Sequence, residues 1–241
     1  MLEKTKGIVL YYIKYSETSV IATIYTEKFG RQSYIINGVR GKRAKVRVNI
    51  LQPLFLLDME VVHKPNRELQ RIKEIRTDYI FSSLPYDIRK STLAIFISEI
   101  LSKTIVEQES NPELFRFLYN SIQLLDLKEE GVSNFHLFFL MRLSKYLGFF
   151  PENNYSDTCC FFDFKLGSFV AIKPLHTLFL DKDKSSIFNK LLSFNENQQE
   201  NIVIANEKRT IILDKILEYY SLHNEGASRI KSLRILHEVF H

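Results

Sequence analysis

Five cations crowd a short stretch of this chain. Between Asn37 and Arg47 the sequence reads Asn-Gly-Val-Arg-Gly-Lys-Arg-Ala-Lys-Val-Arg, so Arg40, Lys42, Arg43, Lys45 and Arg47 stand together with no acidic residue among them. Such a run repels itself and belongs on a solvated loop. The chemistry open to it is electrostatic: Lys and Arg side chains neutralise a polyanion, and nucleic acid is the abundant intracellular one. A loop that merely keeps the protein soluble is the plainer reading. Tyrosines precede the run, and Tyr11, Tyr12, Tyr15, Tyr25 and Tyr34 offer rings on which bases can stack. Alternation along strands sends half of them into a core; Tyr12 and Tyr34 are trial candidates for stacking, and the choice among the five stays open.

Other constellations suggest catalysis more weakly. His237-Glu238-Val239-Phe240-His241 matches the His-Glu-x-x-His pattern, which on a helix sets two imidazoles one turn apart around zinc with a glutamate as base. His241 closes the sequence, where a helix frays. Cys159 and Cys160 lie near Asp157 and Asp163, but thiolate zinc sites use spaced pairs, and no second pair exists. There is no phosphate-cradling glycine loop followed by Lys-Ser or Lys-Thr, no Gly-x-Ser-x-Gly elbow, and no carboxylate cluster suited to a two-metal nuclease. The residues favour a binding protein over an enzyme, with no cofactor.

The elements that must position the basic run are legible in the patterning. Residues 7–15, 20–26, 32–39, 54–62 and 69–79 are short β-branched or alternating segments separated by polar or Pro/Gly turns. Lys28-Phe29-Gly30-Arg31 has the composition of a hairpin connection with glycine at a positive-φ position. Five strands in under 80 residues predict a small barrel, of oligonucleotide-binding (OB) type first and SH3-like second. After Pro85 the period becomes helical. Helices are expected over 87–106, from the Asn111-Pro112-Glu113 start to Leu127, from a Ser133 cap to Gly148, and over about 185–193, 206–223 and 229–240. Residues 153–174 are irregular and Phe-rich, with one or two short strands. The expected fold is α+β, an OB barrel over 1–80 followed by a helical domain over 81–241 with a small insert.

Composition sets the limits. With 241 residues, 45% apolar content, 19 Phe and 12 Tyr, there is ample material for a core. The net charge of +5 is uneven: residues 1–78 hold 15 Lys+Arg against 8 Asp+Glu, whereas the remainder is slightly acidic. Two adjacent cysteines, no apolar leader after Met1 and no apolar run near the ~20 residues of a membrane span predict a soluble, cytoplasmic protein.

The segment from Lys14-Tyr15-Ser16-Glu17-Thr18-Ser19, through Tyr25-Thr26-Glu27-Lys28-Phe29-Gly30-Arg31, to Gly38-Val39-Arg40-Gly41-Lys42-Arg43 resembles the bacterial RecO family of recombination mediators. Leu51-Gln52-Pro53 resembles that family's Leu-Gln-Pro before its fourth strand. Weaker likeness continues through Glu99-Ile100-Leu101, Leu147-Gly148-Phe149-Phe150-Pro151 and Lys231-Ser232-Leu233. The resemblance implies an OB barrel followed by helices, and a protein that binds single- and double-stranded DNA without sequence preference and anneals complementary strands. It also implies work with RecR and with the acidic C-terminal tail of the single-stranded-DNA-binding protein (SSB), helping RecA load on coated DNA. Arg31, Arg40, Lys42, Arg43, Lys45 and Arg47 would then contact DNA. Many relatives carry a four-cysteine zinc module where this chain keeps only Cys159 and Cys160, so no metal is expected. Basic residues that help hold the SSB tail in some relatives are replaced here by Ser133 and Asn134; Arg142 and Lys145 are the substitutes proposed from the sequence. A zinc-dependent hydrolase built on His237, Glu238 and His241, or a pure protein-interaction scaffold, are the alternatives.

Overall fold

In a computed structural model, residues 1–39, 47–194 and 204–240 are described. The first five strands, β1 (Leu2–Lys14), β2 (Val20–Thr26), β3 (Gly30–Ile36), β4 (Leu56–Val62) and β5 (Leu69–Thr77), close into a barrel in the order β1-β2-β3-β5-β4. All neighbours are antiparallel except β3 and β5, which run parallel. This is the five-stranded OB-like barrel, with closure removing the exposed edges that an open sheet would present. Val9, Val20, Ala22, Ile24, Tyr34, Ile36, Leu57, Met59 and Val61 fill its interior, and Leu51 of the 3-10 turn Val48–Leu51 joins them.

The register of β1 carries an irregularity with consequences. Val9 pairs with Ile24 and Tyr11 with Thr23, so Leu10 is an extra residue, and its carbonyl accepts the Ser98 hydroxyl. A bulge of this kind reverses which later residues face the core. Beyond it, Tyr12 pairs with Ala22 and turns inward, while Tyr11 and Ile13 turn outward. The β1 strand also starts at Leu2, earlier than its β-branched stretch indicates, because residues 2–6 continue the ladder with β4.

Two helices belong to the same compact unit, Met1–Leu127. α1 (Ile88–Thr104) starts at Asp87, whose carboxylate accepts the Arg89 N–H, and buries Leu93, Ile97, Ile100 and Leu101. α2 (Pro112–Leu127) follows Asn111, whose side chain accepts the Leu114 N–H as an N-cap should. Tyr25 of β2 stacks 6.2 Å from Phe115 of α2, so the outer face of the barrel at that end is covered. The boundary between compact units thus falls at Leu127, later than the change of hydrophobic period near residue 80.

The second unit, Lys128–His241, is built around α3 (Phe135–Tyr146). Leu137, Phe139, Leu140, Met141 and Leu143 are buried, as an all-round apolar helix requires. Ser133 does not cap it: residues 132–134 form a 3-10 turn, and the helix begins after Asn134 with no side-chain cap. The insert is a small sheet in the order β7-β6-β8, from β6 (Phe161–Asp163), β7 (Ser168–Val170) and β8 (Phe179–Leu180). Phe162 anchors it, 4.5 Å from Phe188 of α4 (Lys182–Ser193) and 5.6 Å from Tyr219 of α5 (Asn206–His223). The last helix, α6 (Leu233–Phe240), starts four residues later than its apolar pattern suggests, because Arg229 takes a left-handed conformation at φ 57°.

Candidate nucleic-acid interface

The basic run leaves β3 and returns to the barrel at the Val48–Leu51 turn. Of its five cations, Arg40, Lys42, Arg43 and Lys45 lie outside the described residues, and Arg47 is exposed at the start of that turn. Both flanks are fastened. On one side the Val39 N–H donates to the Thr18 carbonyl (3.0 Å), and Val39 is itself buried in the barrel. The Ser19 hydroxyl donates to Asn37 Oδ1 at 2.9 Å. On the other side, Leu51 is buried, and the Leu54 N–H and Phe55 carbonyl bond the backbone of Val9 at 2.8 and 3.0 Å. The Ser-Glu-Thr-Ser segment has a physical role here. Its turn, in which the N–H groups of Tyr15 and Ser16 both donate to the Ser19 carbonyl at 3.1 Å, holds Thr18 and Ser19 where they grip the entrance to the basic run.

Arg31 is placed elsewhere. It opens β3, whereas the basic run follows the strand's far end, about 20 Å away at ~3.3 Å per residue. Its Nη1 donates to the carbonyls of Ser102 (2.8 Å) and Ile105 (3.1 Å), at the C-terminus of α1. Its backbone N–H donates to the Glu107 carbonyl at 3.0 Å. A guanidinium there satisfies carbonyls that the helix leaves open and meets the negative end of its dipole. The adjoining Gly30, at φ 58°, is crowded by the same segment, since a Cβ would lie 2.3 Å from the Glu109 carbonyl oxygen. Phe-Gly-Arg therefore reads as the device that joins the barrel hairpin to α1.

The structure sorts the tyrosines into inward and outward sets. Tyr34 is fully buried and the half-buried Tyr12 packs against the same core, one on each side of Ala22 in the register, so Tyr34 offers no ring to a base. The small Ala22 side chain makes the room they occupy. Tyr25 is buried under Phe115. Tyr11 and Tyr15 are the exposed members, at 39% and 61%. The bulge at Leu10 is the cause for Tyr11 and Tyr12, and no residue type in the sequence announces it.

In the second unit, Arg142 and Lys145 are three residues apart on α3. Lys145 is exposed, while Arg142 is half-buried and donates to the Phe194 carbonyl at 3.4 Å. Asn134 is buried and accepts from Arg209 Nη1 at 3.4 Å. The terminal His-Glu-x-x-His divides: Glu238 faces outward in an ion pair with Arg234 at 3.3 Å, His237 lies 3.9 Å from Asp214, and His241 is outside the described residues. Cys160 is buried and Cys159 only partly, both as free thiols. Among the described residues no group of three His, Cys, Asp or Glu side chains is disposed to hold a metal. No described helix is long and apolar enough to cross a membrane.

Comparison with known proteins agrees with this architecture. The family described as "Recombination protein O N terminal" matches residues 1–81, and "Recombination protein O C terminal" matches residues 85–234. The DNA repair protein RecO of Azobacteroides pseudotrichonymphae is 41% identical over 240 residues, spanning 100% of both chains. That of Phocaeicola vulgatus is 38% identical, again over the full length of both, and that of Flavobacterium psychrophilum 36% identical over 98% of each. With both of its parts matched and its relatives aligned end to end, the chain belongs to the RecO family of DNA repair proteins.

Proposed function

We propose that this protein is a non-enzymatic recombination mediator. It binds single- and double-stranded DNA without sequence preference through Arg40, Lys42, Arg43, Lys45 and Arg47, and it anneals complementary strands. With RecR it helps RecA load on DNA coated by SSB, in the cytoplasm and on the nucleoid. The SSB C-terminal tail, being acidic, is received by cations of the helical unit, Arg142 and Lys145 among them. The observation that carries this reading is a run of cations with both flanks pinned to the rim of an OB-like barrel, in a chain of the RecO family. A cationic segment held at two ends can lie along a phosphate backbone without paying the ordering cost of a free tail. Annealing asks only that two polyanions be brought together with their charge screened, which needs no catalytic group.

The test is a DNA titration at two or more salt concentrations with the parent and a Lys42→Ala/Arg43→Ala/Lys45→Ala variant. Loss of three phosphate contacts flattens the log K against log salt slope by about 2 to 3. An unchanged slope and affinity would remove the basic run from the interface.

A further inference from the structure

The last helix of the second unit has a slender hold on it. Along α6, Leu236 is the one buried residue; Leu233, His237, Val239 and Phe240 are half-buried, and Arg234, Ile235 and Glu238 face solvent. By contrast, α5 buries Ile212, Leu213, Ile216, Leu217, Tyr219 and Tyr220, and α3 is buried nearly all round. Buried apolar surface sets how much free energy resists opening, so α6 is the element that separates from the unit first. The chain enters it through Arg229, whose left-handed conformation breaks the helical path from α5 and gives α6 a joint of its own.

What α6 covers is unusual for a helix seat. Where it meets α3 and α5 there is a small cavity, lined by His136, Arg209, Leu213, Leu236, His237 and Phe240 among others. His136 of α3 is buried there, its ring 6.2 Å from that of Phe240. Arg209 of α5 brings a permanent, half-buried cation, whose guanidinium donates to Asn206 Oδ1 at 2.5 Å and Asn134 Oδ1 at 3.4 Å. His237 of α6 adds a second imidazole, and the acid beside it is the exposed Asp214 of α5, 3.9 Å away. Arg234 and Glu238 pair with each other on the outer face of α6. Burial, followed by the charges of Arg209 and His237, lowers the pKa of His136 to about 3. A proton on His136 would set a second buried cation beside Arg209 under an apolar lid, and water is the cheapest remedy. Closure of α6 and protonation of His136 therefore oppose each other.

We propose that α6 is a proton-released latch: it closes over His136 at neutral pH and lifts from α3 and α5 in acid, while the rest of the unit stays folded. Opening uncovers Leu213 of α5 and frees the apolar face of Leu236 and Phe240, so the latch couples acidity to exposed apolar surface. Its sign follows from linkage. The closed form refuses a proton that a solvated histidine accepts near ~6.5, so closure is complete above that pH and weakens as pH falls. If release restores an ordinary histidine, the ratio of open to closed rises about 25-fold between pH 7 and pH 5. The latch stands independently of the DNA-binding reading, since none of its residues belongs to the barrel.

The experiment is hydrogen–deuterium exchange on the full chain at pH 7 and pH 5, corrected for the intrinsic pH dependence of exchange and repeated in low urea. Amides of α6 should be less protected than those of α3 and α5 at both pH values. Their protection should fall about tenfold or more at pH 5 and barely respond to urea, the mark of a local opening that exposes little surface. Protection of α6 that ignores pH would overturn the latch. So would protection that equals that of α3 and α5 and shares their urea dependence, because α6 would then open only with the whole unit. His136→Gln should abolish the extra loss at pH 5, and an undiminished loss in that variant would also refute the proposal. Arg209→Gln, which spares the buried imidazole and removes the fixed cation beside it, should give a smaller loss than the parent. The parent's own comparison decides the matter even if the glutamine at 136 fails to fold.

Discussion

Arg31 Nη1 lies 3.1 Å from the Ile105 carbonyl oxygen, closing the C-terminus of α1 with the second residue of β3. Seventy-odd residues separate them in sequence, so this contact ties the barrel to the first helix of its compact unit. The same Nη1 reaches the Ser102 carbonyl at 2.8 Å, and Ser110 Oγ donates to the Glu27 carbonyl at 2.7 Å on the other side of the turn.

Replacing Arg31 should therefore act on stability and not on DNA contact. Arg31→Ala leaves two helix-end carbonyls without their charged donor, at a cost of about 1–3 kcal/mol. That lowers the melting temperature by several degrees for a chain of this size. The salt slope of DNA binding should stay at the parent value. A variant with the parent's melting temperature and a flatter slope would return Arg31 to the DNA interface. Gly30→Ala should be worse than Arg31→Ala, because the new Cβ meets Glu109 backbone at 2.3 Å in a left-handed conformation.

These two residues also show what the sequence can and cannot disclose. The strands were legible because inward Val20, Ala22 and Ile24 alternate with the outward set, and the helices because Leu93, Ile97, Ile100 and Leu101 keep a helical period. Gly30-Arg31 was legible as a turn. What no local pattern contains is the distant partner: the carbonyls of Ser102 and Ile105 belong to another element, so the sequence alone does not separate a cation that closes a helix end from one that faces DNA. The tyrosines are undetermined by sequence for a different reason. One extra residue at Leu10 exchanges the faces of everything after it, turning Tyr12 inward and Tyr11 outward. Bulges follow from tertiary fit, here the Ser98 hydroxyl on the Leu10 carbonyl, and not from residue type.

Tyr34 gives a test inside the barrel. Its hydroxyl is buried and has no hydrogen-bond partner among the described residues. Thr26 Oγ1, the nearby hydroxyl, donates to the Gly30 carbonyl and accepts the Phe29 N–H; its remaining lone pair faces the Tyr34 hydroxyl without reaching hydrogen-bond geometry. Tyr34→Phe removes an unsatisfied polar atom and keeps the ring, so stability should hold or rise by about 1 kcal/mol in urea unfolding. DNA affinity should be untouched. Tyr34→Ala, by contrast, opens a cavity worth about 3–5 kcal/mol. A loss of stability in the phenylalanine variant would mean that the hydroxyl is bonded after all.

Asp126 near the end of α2 should set a strong acid limit on the first unit. Its carboxylate accepts the N–H groups of Ser82 (2.9 Å), Ser83 (2.8 Å) and Leu84 (2.7 Å), together with the Ser82 and Tyr79 hydroxyls. Burial pushes the carboxyl up, but the backbone donors of Ser82, Leu84 and Ser83 outweigh it and hold it at about 2. An unfolded aspartate titrates near ~3.9. The folded group is the stronger acid, so its contribution is complete above about pH 4 and disappears as pH falls towards 2. The size is roughly 2 kcal/mol on that difference. Asp126→Asn should remove this segment of the stability–pH curve and lower stability at pH 7, since an amide oxygen is a poorer acceptor for so many donors. If the variant's curve kept the same acid limb, the carboxylate would not be its source.

His136 places a second limb at higher pH, in the other unit. It is buried on α3, and burial first, then the positive charges of Arg209 and His237, lower its pKa to about 3. An unfolded histidine takes its proton near ~6.5. Between those values the unfolded chain binds a proton that the folded one refuses, so stability is full above about pH 6.5 and declines steadily as pH falls. By pH 4.5 the loss amounts to roughly 2–3 kcal/mol. This window lies above the one set by Asp126, so the two limbs separate on the pH axis. Urea midpoints for the parent should fall between pH 7 and 4.5, and His136→Gln should flatten that interval while leaving the limb below pH 4 in place. An equally steep decline in the glutamine variant would assign the proton to another group of the second unit.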